Sequence, residues 1–577
     1  MMPNIKASAP QVATPRPLEI EDVLQYESFE GYYVPIVDIS PDRKRVAITV
    51  TSGLAGRVHT ARFFLWGVDR GRLHIVDIAT GEVRAVRSPE GVGISAPLWS
   101  PDGTRVAAIA ANQDWLRLCI VDPNSCEVTI VSERNILIEP RGSHGFQWID
   151  NETIACRCLP AGQHAPGIRI SNCTTERAPT AWATMQTGKV TTANAFGFKD
   201  SDHLKTPHQL ALVSISPLHV SYFTDAEPKP PALATFASLE AATIDAASVG
   251  AATRAAERCL WHDDTNGERL TISRSNHGTA LRFQSNRAPS RDLLQLNGHL
   301  SDVGFGKALD LQYTLSNGRP TSMSCVLPPN HSEDEKRPSI MFVYPGFDRA
   351  YNIDESHLLE GPHFIYNKHL FAAQGYTVIE PNLPFDPDSD IPFIDSLVDG
   401  VSSALHAAES AGIIDSDSVH VLGQSAGGWA VMALLARTQY FRSGVSLAGI
   451  ADLIALHGQV DPRLRYEDTD QADFTIGDMC EHFFHIRRPP WEDAAPYLHN
   501  SPLFLADKFS APLLLMHGDL DYISIAQSEA MFLALTRLKK PVEFVRYLGE
   551  DHVYASAPNI RDAFTRIVEW FRRHSAD

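Results

Sequence analysis

Between Val419 and Trp429 the chain reads VHVLGQSAGGW, a short apolar run that meets a Gly-x-Ser-x-Gly turn and continues into the strong helix-forming stretch Ala430 to Ala436. That order predicts strand, sharp turn and helix. At such a turn the serine holds strained backbone angles, and glycines flank it because a side chain there would collide with the neighbouring strand or helix. The junction belongs to a sheet of parallel strands with crossover helices. It makes Ser425 the candidate nucleophile.

A serine hydroxyl needs a base to take its proton. The imidazole that serves needs a carboxylate to fix its tautomer and stabilise its charged form. Nucleophile-elbow sheets supply these partners in the order Ser, Asp or Glu, His, each in a loop after a later strand. Pro512 to Gly518 is an apolar run of the length of a buried parallel strand, and Asp519-Leu520-Asp521 follows it. Val542 to Tyr547 reads as the next strand and leads into Leu548-Gly549-Glu550-Asp551-His552. Asp521 is the candidate acid, with Asp519 as the alternative, and His552 is the candidate base. The amide of Ala426, the residue after the nucleophile, is an expected oxyanion donor.

Four segments together resemble the prolyl oligopeptidase family of serine peptidases. They are Val343 to Phe347, Gly423 to Gly428, His517 to Asp521 with Gln527-Ser528, and Gly549 to His552. The resemblance covers roughly residues 305 to 577. It implies Asp521 and His552 as acid and base, although Asp551 stands where the family motif usually has glycine. It also implies the Tyr344 hydroxyl as the second oxyanion donor. Pro345 replaces another family glycine and offers no amide, so the Gly346 amide is the fallback. Phe347, Tyr351 and Trp429 are candidates for an aromatic substrate pocket.

The C-terminal part alternates strands with helices. Ser339 to Val343 and Thr377 to Glu380 read as strands, and a helix is expected from about Ile394 to Ala411. Phe564, Ile567, Val568 and Phe571 share one face of a terminal amphipathic helix. This is the pattern of a doubly wound α/β-hydrolase sheet with its chemistry at the carboxyl ends of the strands. Residues 30 to 300 differ. Ile39 to Ile48, Trp99 to Ile109 and Trp148 to Ala155 repeat a strand, turn, strand pattern, and Leu73 to Val86 and Leu118 to Ile130 are hairpins in matching phase. Such spacing suggests propeller blades of four strands. The repeat fades beyond about residue 180, and Ala237 to Ala256 is alanine-rich and compatible with helix. Three segments are therefore expected: residues 1–30, with Leu18 to Gln25 packing on the hydrolase as the resemblance implies; a β-propeller over 31–302, about seven blades by the same resemblance and the length available; and a hydrolase domain over 303–577.

A net charge of −19, with no run of lysine or arginine, argues against a nucleic-acid partner. The eight cysteines lie at 119, 126, 156, 158, 173, 259, 325 and 480, without the paired spacing of a zinc site; Cys156 and Cys158 are expected as free thiols on one strand. His482 and His485 form a close pair at helical spacing that does not by itself make a metal site. No cofactor is expected. Met1 to Pro17 lacks an apolar signal core, and no segment reaches the roughly 20 apolar residues that span a bilayer, so no membrane partner and a cytoplasmic address are expected.

The leading functional expectation is a serine peptidase that hydrolyses oligopeptides through an acyl-enzyme, with the propeller restricting access. An esterase or specialised isopeptidase would use the same groups. A propeller-based binding protein with an inactive hydrolase domain is the reading from another class. Endo- versus exopeptidase action and the residue preferred at the cleaved bond stay open, and the chain is expected as a monomer or homodimer.

Overall fold

A computed structural model describes residues 15–575 apart from 30–33, 56–66, 139–143, 166–167, 169–175, 194–207, 225–226, 232, 234–235, 237–256, 333–336, 347–357, 360–366, 387–390 and 466–475. The alanine-rich stretch from 237 to 256 lies outside them.

The hydrolase sheet has eight strands: β1 (Ala308–Thr314), β2 (Pro320–Val326), β3 (Ser339–Phe342), β4 (Thr377–Pro381), β5 (Val419–Gln424), β6 (Ser443–Leu447), β7 (Leu513–Gly518) and β8 (Val542–Tyr547). Their order is β1-β2-β4-β3-β5-β6-β7-β8. Strand β2 runs antiparallel to β1 and β4, and all other pairs are parallel. The continuous apolar runs of β3, β5, β6 and β7 are buried along their whole length, as strands covered on both faces must be. Strand β8, at the sheet edge, mixes buried and exposed positions.

The helices that cover the sheet are α1 (Lys368–Ala372), α2 (Phe393–Ser410), α3 (Ala426–Arg437), α4 (Ala526–Arg537) and α5 (Ala557–His574). On one face, Met341, Val421 and Leu515 pack with Trp429, Leu397 and Leu535. On the other, Phe342, Leu422 and Leu514 pack with Phe564, Ile567, Val568 and Phe571 of α5. Leu18, Val23, Leu24 and Tyr26 enter this second core. Ion pairs fasten the same segment: Arg16 joins Asp22 at 2.8 Å and Asp302 at 3.0 Å, and Glu21 pairs with Arg561 on α5.

One ion pair is deeply buried at the start of α1. Lys368 Nζ lies 2.8 Å from Glu380 Oε2 on β4, with the side chains 3% and 9% exposed. Such a pair adds little over a well-packed apolar pair, but removing one partner strands a charge. Lys368→Met is therefore expected to cost about 3–5 kcal/mol in urea unfolding, and adding Glu380→Leu to recover most of it.

Residues 37–296 fold into four four-stranded antiparallel sheets: Val37–Ala85, Gly93–Ile130, Phe146–Phe223 and Glu257–Leu296. The repeated sequence element joins the first and second strands of the first three sheets, and its chemistry explains both the turn and the stacking. Ser40 Oγ donates to Asp42 at 2.7 Å and accepts the Arg45 amide, and Ser100, Asp102 and Arg105 repeat this arrangement. Each arginine then reaches the next sheet, Arg45 to the Gly103 carbonyl and Arg105 to the Asn151 carbonyl. Each tryptophan reaches back: Trp99 Nε1 donates to Asp38 O and Trp148 Nε1 to Leu98 O. The fourth sheet packs Leu270, Ile272 and Leu281 on Ile36, Val46 and Ile48 of the first, as ring closure requires. The architecture is an α/β hydrolase with an N-terminal β-propeller.

Against the expectation of about seven blades, four such sheets are formed among the described residues. Residues 159–208 separate the second and third strands of the third sheet, Thr153–Cys158 and Gln209–Ile215, and it is along this stretch of sequence that the repeat fades. Among the described residues no helix is long and apolar enough to cross a membrane.

Candidate active site

The carboxyl ends of β3, β5, β7 and β8 bring Tyr344, Ser425, Asp521 and His552 to one edge of the hydrolase sheet. Ser425 sits between β5 and α3 with φ 60° and ψ −121°, a conformation that is costly for a side-chain-bearing residue, and its amide donates to Leu447 O at 2.9 Å. The flanking glycines are there for space. A Cβ on Gly423 would lie 2.3 Å from Gly427 O, and one on Gly427 would lie 2.2 Å from Val343 O.

Asp521, 1% exposed, follows β7. Its Oδ1 accepts the Ile523 amide at 2.8 Å, and Oδ2 lies 3.3 Å from His517 Nε2. His552 follows β8, with Nδ1 2.9 Å from each oxygen of Asp521. Its backbone carbonyl accepts from Gln424 Nε2, which ties the histidine loop to the residue before the serine. Asp519, the alternative acid, instead accepts the Gly549 amide at 2.7 Å.

Burial pushes the Asp521 carboxyl up, but the facing His552 imidazole and the His517 ring outweigh it and hold the group at about 2. Burial pushes His552 down, yet the negative charge of Asp521, helped by Asp551, leaves the imidazole above its ordinary value. The pair is arranged so that a proton arriving on His552 is stabilised by a carboxylate that stays ionised.

The Ala426 amide opens helix α3, where a backbone donor has no partner within the helix. Tyr344, half-buried, stands two residues beyond the end of β3, and a Cβ on Gly427 would touch its ring at 3.5 Å. The fallback donor is overturned: the Gly346 amide is spent on Leu383 O at 3.0 Å.

The aromatic pocket fares differently. Trp429 is 0% exposed, donates through Nε1 to Asn500 O at 2.7 Å, and packs on Phe393 and Phe484. It is core beneath the elbow and does not line a substrate pocket. The reason is its place in the first turn of α3, which turns it onto the layer formed by α2. Phe347 and Tyr351 lie outside the described residues. His485 stacks on Phe385 at 4.5 Å while His482 is exposed, so the two histidines do not converge.

Sequence reading missed the groups around the base. The Tyr522 ring lies 4.5 Å from the His552 ring, and Arg463 pairs with Asp461 at 2.7 Å and with Asp551 at 3.5 Å. The one signal in the sequence was the acid at position 551 in place of glycine. A buried acid there calls for a cation, but nothing in the linear pattern points to a residue so distant in sequence.

Residues 362–577 match the prolyl oligopeptidase family model. An uncharacterized peptidase of Bacillus subtilis, YuxL, is 24% identical over 278 residues, 46% of this chain and 39% of that protein. Dipeptidyl-peptidase 5 of Porphyromonas gingivalis is 25% identical over 265 residues, 43% of this chain and 36% of that protein. The match thus spans well under half the length of these curated relatives. Among solved structures, the AtxE2 isopeptidase superposes with a TM-score of 0.62 at 15% identity, covering 97% of this chain and 96% of that one, which shows the shared fold of sheet and propeller. Residues 362–577, the part similar to the prolyl oligopeptidase family, carry the elbow serine and the two loops behind it.

Proposed function

We propose that the protein is a serine peptidase that hydrolyses short peptides through an acyl-enzyme formed on Ser425. The observation that carries this reading is the contact of His552 Nδ1 with both oxygens of Asp521, in a histidine loop whose His552 carbonyl accepts from Gln424, the residue before the strained elbow serine. In the first step His552 Nε2 takes the Ser425 proton as Oγ attacks the scissile carbonyl. The oxyanion accepts from the Ala426 amide and the Tyr344 hydroxyl, and the imidazolium then protonates the leaving amine. Water, deprotonated by the same imidazole, releases the acyl group. Substrates are peptides able to pass the propeller, a reading in keeping with the names of the peptidase relatives. The same groups would serve an ester or an isopeptide bond, and matched ester, peptide and side-chain-linked amide substrates separate these activities. The seven described cysteines are all unpaired and six are buried, which supports a reducing, cytoplasmic setting. The protein is proposed to act as a monomer or homodimer.

The test is labelling by a fluorophosphonate probe, with Ser425→Ala alongside. Wild type should label and the variant should not. The labelling rate should fall as pH drops through the raised value of His552, because a base must be neutral to accept the serine proton. Equal labelling of both proteins would move the nucleophile elsewhere. Labelling of neither would favour the binding-protein reading.

A further inference from the structure

The proposed chemistry leaves one charged cluster beside the site unused. Residues 459–463, beyond the short helix Leu453–His457, bridge the loop that carries Asp521 and the loop that carries His552. Gln459 Nε2 donates to Tyr522 O at 2.6 Å, and its Oε1 accepts the Ser524 amide at 3.1 Å. Four residues on, Arg463 is held by Asp461 through Nε at 3.0 and 3.1 Å and Nη2 at 2.7 Å. Its Nη1 reaches Asp551 Oδ2 at 3.5 Å, and its guanidinium lies 5.1 Å from the centroid of the Tyr522 ring. Both of those partners touch the base. Asp551 Oδ1 accepts the His552 amide at 2.6 Å, and the Tyr522 ring meets the His552 ring at 4.5 Å. The Arg463 and Asp551 side chains are only 11% and 16% exposed, so water screens them weakly.

We propose that Arg463 is a positioning residue for His552, acting through Asp551 and Tyr522, and that the Arg463–Asp551 pair fixes the histidine loop in place of the glycine the family motif carries. The inference rests on the reading of His552 as the general base. An acid next to His552 without a cation would overstabilise the imidazolium, leaving less of the neutral base at a given pH and a poorer proton donor to the leaving amine. Arg463 offsets that charge, and its planar guanidinium packs at the same time on the ring that abuts the imidazole. Among the described residues, the charged and titratable groups around His552 are Asp521, Asp551, Arg463 and Tyr522, with His517 and Tyr554 beside Asp521 and Asp461 behind Arg463. Glu550 is turned away onto the Ala555 and Ser556 amides and Asn559.

The two members of the pair act on His552 with opposite sign, which a merely structural role would not produce. Asp551 favours the imidazolium and Arg463 disfavours it. Histidine-selective NMR titration of the full chain, with the His552 signal assigned from its loss in His552→Gln, reads this directly. Arg463→Gln should raise the His552 midpoint and Asp551→Asn should lower it, each by roughly half a unit or more. The double variant should return toward wild type, and the acidic limb of kcat/KM should move the same way. Arg463→Lys should restore the midpoint better than the activity, because an ammonium cannot grip Asp461 and stack on Tyr522 together. Unmoved midpoints, or shifts of the same sign in both single variants, overturn the proposal. If Arg463→Gln does not fold, Asp551→Asn and Arg463→Lys carry the same comparison. The NMR reading does not need Ser425 to react. Opposite shifts without Ser425 labelling uphold the coupling and overturn the peptidase reading, whereas unmoved midpoints with normal labelling overturn the coupling alone.

Discussion

Asp521→Asn is expected to lower kcat/KM for peptide hydrolysis by about 10⁴-fold while the chain stays folded. The hydrogen bonds around Asp521 say why so small a change would be so damaging. Its Oδ1 accepts the Ile523 amide at 2.8 Å. In the variant that backbone donor would hold the single amide oxygen at the Oδ1 position, leaving the side-chain NH₂ at the Oδ2 position, 2.9 Å from His552 Nδ1. An imidazole facing a donor presents an unprotonated Nδ1 and carries its proton on Nε2, the atom that must accept the serine proton. The variant would hold its base in the wrong tautomer. It would also lose the charge that keeps His552 above its ordinary value, so the residual activity should show an acidic limb displaced to lower pH. In the wild type, the stability contributed by the ionised carboxylate is present above the ordinary carboxylate range and is lost as pH falls toward about 2. Steady-state kinetics and a thermal melt on the same samples check both halves. A loss of less than about tenfold would show that Asp521 does not orient the base.

How much of this site the sequence displays depends on whether a residue's task is local. Strand β7 was legible to within a residue, at Leu513–Gly518, and α2 nearly to its ends, at Phe393–Ser410, because buried parallel strands and amphipathic helices write their environment into hydropathy. The propeller turns were legible because Ser40-Pro41-Asp42 and Ser100-Pro101-Asp102 make their own hydrogen bonds within a few residues. Position 519 stayed open as the alternative to 521 until the family resemblance favoured Asp521, and the geometry gives Asp519 a different partner, the Gly549 amide. Long-range tasks were not legible. Trp429 invited a pocket reading because an aromatic ring after an elbow is compatible with either face of α3, and only packing against Phe393 and Phe484 decides which. Arg463 was invisible because its partners, Asp551 and Tyr522, are brought to it by the strand order and not by the chain.

Gly427→Ala is expected to damage stability and chemistry together. The new Cβ would lie 2.2 Å from Val343 O, a backbone atom at the end of β3 that cannot rotate away. Either α3 must lift from the sheet or the β3 terminus must retreat. Overpacking of this kind costs up to about 3 kcal/mol, which for a domain of this size lowers Tm by roughly 6–12 °C. The chemical effect follows from which strand is pushed. Tyr344 is the next residue after Val343, so a retreating β3 would carry the proposed oxyanion hydroxyl away from the Ala426 amide. Fluorophosphonate labelling should then slow more than the fraction of unfolded protein explains. Gly298→Ala is the matched control, since a Cβ there meets nothing within 4 Å; it should leave both Tm and labelling unchanged. A Gly427→Ala protein that melts and labels like wild type would mean that helix and strand can separate at the elbow without cost, and the close approach would then not be what the glycine is for.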